Sequence, residues 1–301
     1  MHVLVPHADA AQLMGGVPDG VELNFWPGTD DYPEDFERTE VFIPPWWEKS
    51  RAVHEIHRMP NLKLVQTLGA GYDWIAPTLP SGVKLANVPG VNARPVAEWV
   101  LAALLSLLRE FPQFLRDQMN AKWDQRGTGE LGGSNVLVIG YGAVGKQVAT
   151  LLRAFEAEVA VVASTRRPDV FGPAELPTLA ARADAIVVAV PLNASTYRMI
   201  DDDFLRNMRD GSVLVNVARG GVVDTDALVG ELKTGRIRAA LDVTDPEPLP
   251  AEHELWTLPG VLITPHVASV VPSFLPSSYT RVREQLVRIV NGDAPLNVVA
   301  G

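Results

Sequence analysis

Three polar groups stand just beyond apolar runs in the second half of the chain, and their types complement one another. Arg219 lies in Val215-Asn-Val-Ala-Arg219-Gly-Gly-Val-Val-Asp224, after the run Val213 to Val217. Glu247 lies in Leu241-Asp242-Val-Thr-Asp-Pro-Glu247-Pro-Leu249, after Ala239 to Val243. His266 lies in Ile263-Thr-Pro-His266-Val-Ala-Ser269, after Val261 to Ile263. A guanidinium clamps an anion through charge-assisted hydrogen bonds. An imidazole gives or takes a proton near neutral pH. One arginine or histidine after one strand is ordinary surface chemistry. Three such groups in succession, at strand ends where open α/β sheets place their ligands, form a set: an anion clamp, a carboxylate and a proton donor.

Upstream, Gly140, Gly142 and Gly145 fall in G-x-G-x-x-G spacing. Val136 to Ile139 before them reads as a strand buried on both faces. Val144, Val148, Leu151, Leu152 and Phe155 recur at helical spacing behind them. Strand, glycine turn and helix together give the pattern its meaning, a dinucleotide pyrophosphate seated on a helix N-terminus. A unit that takes NAD usually carries an acidic residue about 20 residues further on, for the ribose hydroxyls. Here that place reads Ala163-Ser164-Thr165-Arg166-Arg167-Pro168. Two hydroxyls and two guanidinium groups suit a 2′-phosphate, so NADP(H) is expected over NAD(H).

The elements that must position these groups follow from the periodicity. Residues 1 to about 93 show short strands at His2 to Val5, Val21 to Phe25, Glu40 to Ile43, Leu62 to Leu68 and Lys84 to Val88, with a helix over Trp46 to Met59. Strand–helix alternation predicts a parallel sheet. From Asn135 a second series runs through Val159 to Ala163 and Ala185 to Val190 to the three runs above. A helix is expected from about Ser278 to Val290, and the tail is expected to return to the first domain. The apolar stretch Val96 to Leu108, opened by Pro95, predicts a helix buried between domains or against another subunit, hence a homodimer. Phe111 to Gly133 reads as polar and loop-rich.

With 301 residues, 47% hydrophobic and 21% charged, the chain can build two cores. A net charge of −10 without a basic stripe argues against nucleic-acid and membrane partners. The chain has no cysteine, which excludes disulfides and thiolate metal sites and fits a reducing cytoplasm. No signal peptide or membrane span is expected.

Taken together, these stretches resemble the D-isomer-specific 2-hydroxyacid dehydrogenase family, in its glyoxylate/hydroxypyruvate reductase-like branch. The marks are the glycine turn, Asn216 with Arg219-Gly220, Asp242 with Glu247-Pro248-Leu249, and Thr264-Pro265-His266. Gly69-Ala-Gly71-Tyr-Asp73 and Asn87-Val-Pro-Gly90-Val-Asn92 through Val96-Ala97-Glu98 match as well. The resemblance implies an α/β fold of two Rossmann-like or flavodoxin-like parallel-sheet domains with an interdomain active-site cleft. Residues 1–93 with 273–301 would bind substrate, and 94–272 would bind the dinucleotide. The activity it implies is reduction of a 2-oxo acid to the D-2-hydroxy acid, and the reverse, by hydride transfer from NAD(P)H.

In that family Arg219 would hold the substrate carboxylate and polarise the carbonyl. His266 would protonate the carbonyl oxygen, and Glu247 would accept a hydrogen bond from the other imidazole nitrogen. Backbone N–H groups at Ala70 and Gly71 would cradle the carboxylate. The cofactor set it implies is Gly140, Tyr141, Gly142, Ala143, Val144, Gly145, Ser164, Thr165, Arg166, Arg167, Pro191, Thr196, Ala218 and Asp242, with a structural role open for Asp242. Formate dehydrogenases of this fold carry Gln in place of Glu247, and phosphite dehydrogenases carry Lys in place of Ala70, so neither activity is expected. The alternative is a dinucleotide-sensing, corepressor-like protein that acts by binding.

Four groups of residues remain outside this scheme or at its edge. His54 and His57 share a helix face, but nothing completes a ligand set, so no metal is expected. His7 with Asp9 follows the first strand and is a candidate for substrate contact. Trp46-Trp47 follows Pro44-Pro45 and is a candidate apolar wall for a substrate side chain. Pro272 and Pro276, with bulky residues between them, depart from a smooth helix start after His266.

Overall fold

The computed structural model describes residues 1–301. Along the chain come β1 (His2–Val5), α1 (Ala10–Leu13), β2 (Glu22–Phe25), β3 (Val41–Phe42), α2 (Lys49–Glu55), β4 (Leu64–Gln66) and β5 (Lys84–Ala86). Next are α3 (Ala93–Leu108), α4 (Phe111–Met119), β6 (Asn135–Ile139), α5 (Ala143–Ala154), β7 (Glu158–Val162), α6 (Leu176–Ala180) and β8 (Ala185–Val188). Then follow α7 (Asp202–Asn207), β9 (Val213–Asn216), α8 (Thr225–Lys233), β10 (Arg238–Leu241), β11 (Val261–Ile263), α9 (Phe274–Val290) and β12 (Val298–Ala300). The chain divides into two compact units, one of residues 1–92 with 271–301 and one of residues 93–270.

The second unit carries a six-stranded sheet in the order β11-β10-β9-β8-β6-β7, every pairing parallel. Alternate side chains of β6 serve opposite faces, as the pleat requires. Leu137 and Ile139 pack with Ile186, Leu214 and Leu232, while Val136 and Val138 pack with Leu104, Val148 and Val187. Strands buried on both sides explain the unbroken apolar runs. Strand order reverses between β6 and β8, so the carboxyl ends of those two strands open the crevice where such sheets take ligands. No helix is long and apolar enough to cross a membrane.

The first unit has the order β12-β5-β4-β3-β1-β2. Strands β1 to β5 are parallel, and β12 closes the edge antiparallel to β5, pairing Val298 with Ala86. Tyr279, Val282 and Leu286 of α9 enter the core with Val3, Val5 and Leu64. Its switch point lies between β1 and β3.

Three expectations are corrected. Trp46 to Met59 is not one helix: a 3₁₀ turn, Trp46–Glu48, precedes α2, and a second, Ile56–Arg58, follows it. Phe111 to Gly133 is not all loop, because α4 occupies Phe111–Met119 with Pro112 tolerated in its first turn. The helix expected from Ser278 starts at Phe274, and Pro276 falls in the first turn, where its missing N–H costs nothing. The apolar helix α3 packs along α5 and against β9 and β10 within its own unit and keeps Trp99, Leu101 and Leu105 only partly buried.

Candidate active site

The six strands of the second unit deliver the cofactor and catalytic candidates to one sheet edge. The glycine turn follows β6, and Ser164 to Arg167 follow β7. Pro191 and Thr196 follow β8, and Ala218 and Arg219 follow β9. Asp242 and Glu247 follow β10, and His266 follows β11.

The glycine turn fits a dinucleotide on steric grounds. At Gly140, with φ +104°, a β-carbon would lie 2.3 Å from the Ala189 carbonyl oxygen. At Gly145 it would lie 1.9 Å from the Gly140 carbonyl oxygen, so only glycine lets α5 sit this close to β6. At Gly142 a β-carbon would meet nothing within 4 Å, and the space is open for a pyrophosphate. The ladder of α5 begins with Lys146 N–H donating to the Gly142 carbonyl at 3.0 Å, so the amides of Ala143 and Val144 remain outside it. These amides, at the positive end of the helix, suit an anion.

Beyond β7, Ser164, Thr165, Arg166 and Arg167 are all exposed. Arg167 stacks over the Tyr141 ring with its guanidinium carbon 5.6 Å from the centroid. Arg166 is paired with Glu175, whose other oxygen accepts from Gly172 N–H at 3.0 Å. Beyond β8, Thr196 Oγ1 donates to the Pro191 carbonyl at 2.6 Å and fixes that loop.

The catalytic candidates sit on three neighbouring strands. Asn216, buried at the end of β9, accepts from Ala218 N–H and donates to the Arg219 carbonyl, both at 3.0 Å. This clasp turns Arg219 out of the sheet. A β-carbon at Gly220 would lie 1.9 Å from the Thr244 carbonyl oxygen. The Arg219-Gly220 pair therefore packs under the segment that leads to Glu247.

His266 Nδ1 lies 2.8 Å from Glu247 Oε1. Both side chains keep about a third of their surface, 33% and 34%, open to a ligand. His266 adopts φ +55°, a left-handed conformation that costs a non-glycine residue energy and must be held from outside. The Asp242 segment supplies that hold. His266 N–H donates to the Asp242 carbonyl at 2.7 Å. The buried Asp242 carboxylate accepts from Thr264 Oγ1 at 2.6 Å, Val267 N–H at 2.8 Å and Ala268 N–H at 3.0 Å. Asp242, expected beside the cofactor, is thus also the post on which the histidine loop is tied.

In the first unit, Ala70 and Gly71 follow β4 and are half-buried. The Ala70 carbonyl accepts from Asn87 Nδ2 at 2.9 Å, and the Gly69 carbonyl from Thr67 Oγ1 at 2.9 Å and Val88 N–H at 3.0 Å. The N–H groups of Ala70 and Gly71 donate no hydrogen bond within the protein, which suits an incoming carboxylate. His7 Nδ1 lies 2.8 Å from Tyr279 Oη, an association across 272 residues that no local pattern signals. His54 and His57 are exposed. His2, Glu22 and Asp35 come within 4.8 Å of one another at the opposite sheet edge, where Asp35 is paired with Arg38.

The family model for the NAD binding domain of D-isomer specific 2-hydroxyacid dehydrogenases matches residues 101–268. A glyoxylate reductase of Thermofilum pendens is 33% identical over 251 residues, covering 78% of this chain and 74% of its own. A human glyoxylate reductase/hydroxypyruvate reductase is 34% identical over 224 residues, covering 69% and 68%. A D-isomer specific 2-hydroxyacid dehydrogenase from Xanthobacter autotrophicus, solved with NADPH and MES, superposes with a TM-score of 0.83 at 28% identity over 99% of this chain and 97% of its own. A family match that spans most of the second unit, and relatives about a third identical over most of the chain, identify this protein as a member of the D-isomer specific 2-hydroxyacid dehydrogenase family of NAD(P)-dependent oxidoreductases.

Proposed function

We propose that this protein reduces a 2-oxo acid to the D-2-hydroxy acid, and runs the reverse reaction, with NADPH favoured over NADH. The observation that carries the reading is the His266–Glu247 hydrogen bond on strand ends next to the Arg219 clasp. A bound nicotinamide dinucleotide supplies the hydride. Arg219 holds the substrate carboxylate and carbonyl oxygen by charge-assisted bonds and draws electron density from the carbonyl carbon. The N–H groups of Ala70 and Gly71 are suited to holding a substrate carboxylate. Because Nδ1 of His266 is engaged by Glu247, Nε2 faces the substrate and gives its proton to the carbonyl oxygen. In oxidation the neutral ring takes the proton back.

The preference for NADPH rests on the two hydroxyls and two guanidinium groups beyond β7. Glu175 competes for Arg166, leaving Arg167, stacked on Tyr141, as the better placed cation. The structural relative solved with NADPH is consistent with this choice.

A homodimer forms part of the proposal, and α4 offers it an apolar surface in addition to α3. Phe111, Leu115 and Met119 make one stripe along α4 and are 54%, 60% and 86% exposed, and Trp123 beyond them is 95% exposed. A second copy covers such a stripe at little cost. A cytoplasmic location, suited to a chain without cysteine, completes the reading.

The test is loss of NADPH absorbance with a panel of 2-oxo acids, with wild type beside His266→Ala. The variant loses at least about 100-fold in turnover, the low end for general acid catalysis. Tight cofactor binding with no turnover on any acid overturns the reading in favour of a sensor. A lower Michaelis constant for NADH than for NADPH overturns the cofactor choice.

A further inference from the structure

The carboxyl edge of the first unit's sheet carries a group of aromatic side chains that the reaction chemistry above does not use. The group sits at that sheet's switch point: His7 follows β1, and Trp46 and Trp47 follow β3. In open α/β sheets this is the place for a ligand. The His7 ring lies 5.4 Å from the Trp46 ring and 5.2 Å from the Trp47 ring, and the two tryptophans meet edge to face at 4.9 Å. Trp46 also meets Phe274 edge to face at 6.0 Å.

The walls are held rigidly. Trp47 Nε1 donates to the Pro27 carbonyl at 3.1 Å, and His7 is tied to the fully buried Tyr279. Yet they are not covered: Trp47 is 45% exposed, and His7, Trp46 and Phe274 are half-buried. Phe274 reaches the proposed carboxylate cradle itself, since a β-carbon at Gly69 would touch its ring at 3.8 Å.

We propose that this aromatic box is the side-chain subsite of the enzyme and that it selects 2-oxo acids carrying an aromatic ring, with Trp46, Trp47 and Phe274 as its walls. The inference rests on the reductase reading above and names its substrate class. An acid whose carboxylate is held at Ala70 and Gly71 extends its side chain past Gly69 toward Phe274 and the tryptophans. A ring there buries apolar area and meets edge-to-face partners, whereas glyoxylate, with no side chain, touches none of them. His7 and Tyr279 are positioning residues that hold the tryptophans. Burial lowers the His7 pKa below its ordinary value, and the Asp9 carboxylate acts on both His7 and Tyr279. A second carboxylate is costly to desolvate among these rings, so 2-oxo diacids are disfavoured.

The experiment compares kcat/KM of the whole enzyme with NADPH for phenylpyruvate, glyoxylate and 2-oxoglutarate. The expected result is a preference for phenylpyruvate over each of the other two of about tenfold or more. Trp47→Ala lowers the ratio of phenylpyruvate to glyoxylate by about tenfold, with folding checked independently by circular dichroism. Tyr279→Phe, which removes only the hydroxyl, raises KM for phenylpyruvate with kcat little changed. Wild type that uses glyoxylate as well as phenylpyruvate, or a ratio unmoved by Trp47→Ala, overturns the aromatic subsite and leaves the reductase standing. No turnover of any 2-oxo acid overturns both.

Discussion

Gly142 and Gly145 stand three residues apart in one turn, and the structure assigns them opposite reasons for being glycine. A methyl at Gly145 would sit 1.9 Å from the Gly140 carbonyl oxygen, where ordinary contacts begin at 3.4 Å, so α5 must retreat from β6 by roughly 1.5 Å. Overpacking against backbone costs about 3 kcal/mol, of which helix propensity returns at most about 1 kcal/mol. Gly145→Ala should therefore lose about 2 kcal/mol, or roughly 4–8 °C in the melting temperature of a unit this size. At Gly142 the methyl enters open space, and the backbone there, φ −73° and ψ −164°, suits any residue. Gly142→Ala should shift stability by less than about 0.5 kcal/mol. The same methyl blocks the approach of a pyrophosphate to the helix amides. Losing one charge-assisted bond of about 1.5–3 kcal/mol weakens NADPH roughly 10- to 100-fold. Thermal melts without cofactor and a fluorescence titration with NADPH read the two quantities separately. A Gly142→Ala protein that melts early refutes the steric reasoning. One that melts normally and binds NADPH like wild type refutes the dinucleotide site.

Three further outcomes follow from contacts already described. Asp242→Ala leaves Val267 N–H, Ala268 N–H and the Thr264 hydroxyl without their acceptor, at about 1 kcal/mol or more each. With the His266 loop released, turnover should drop about 100-fold as well, and a variant that keeps both stability and turnover would deny the loop its anchor. Glu247→Gln keeps a hydrogen-bond acceptor but removes the charge facing His266, so kcat should fall about tenfold or more with KM near wild type in steady-state assays. Burial lowers the His7 pKa below its ordinary 6.5, so the unfolded chain binds the extra proton first. Stability of the first unit therefore rises with pH through the window between the lowered value and 6.5, and is lost as pH falls through it. Denaturant melts across that window should show the slope in wild type and a flatter one in His7→Asn.

Much of the second unit was legible because its strands are buried on both faces. Val136 to Ile139, Ala185 to Val188 and Val213 to Asn216 leave no polar residue to confuse the period until Asn216, which is itself part of the site. The first unit was less legible. Strand β3 shrinks to Val41–Phe42 because Pro44-Pro45 end its pairing, and the helix after it is broken by 3₁₀ turns at both ends. Helix α4 hides in the sequence because its apolar side, Phe111, Leu115 and Met119, faces out, the reverse of the pattern that marks a surface helix. Of the candidate site, the residue types and their order were readable. That Gly220 packs on Thr244, that Asp242 ties the loop of a left-handed His266, and that Tyr279 meets His7 depend on contacts between distant segments, and no spacing rule encodes them.

The split of the first unit around the second sets a schedule for synthesis. Residues 1–92 cannot complete their core until α9 and β12 have emerged, because Tyr279, Val282 and Leu286 and the pairing of Val298 with Ala86 are part of it. Residues 93–270 form a continuous unit that can fold while translation is still under way. At about 5–20 residues per second, the nascent amino-terminal segment waits on the order of ten seconds with β5 lacking its outer neighbour and apolar surface uncovered. That interval is when a holding chaperone would matter most, and slowing the ribosome before residue 271 would prolong it.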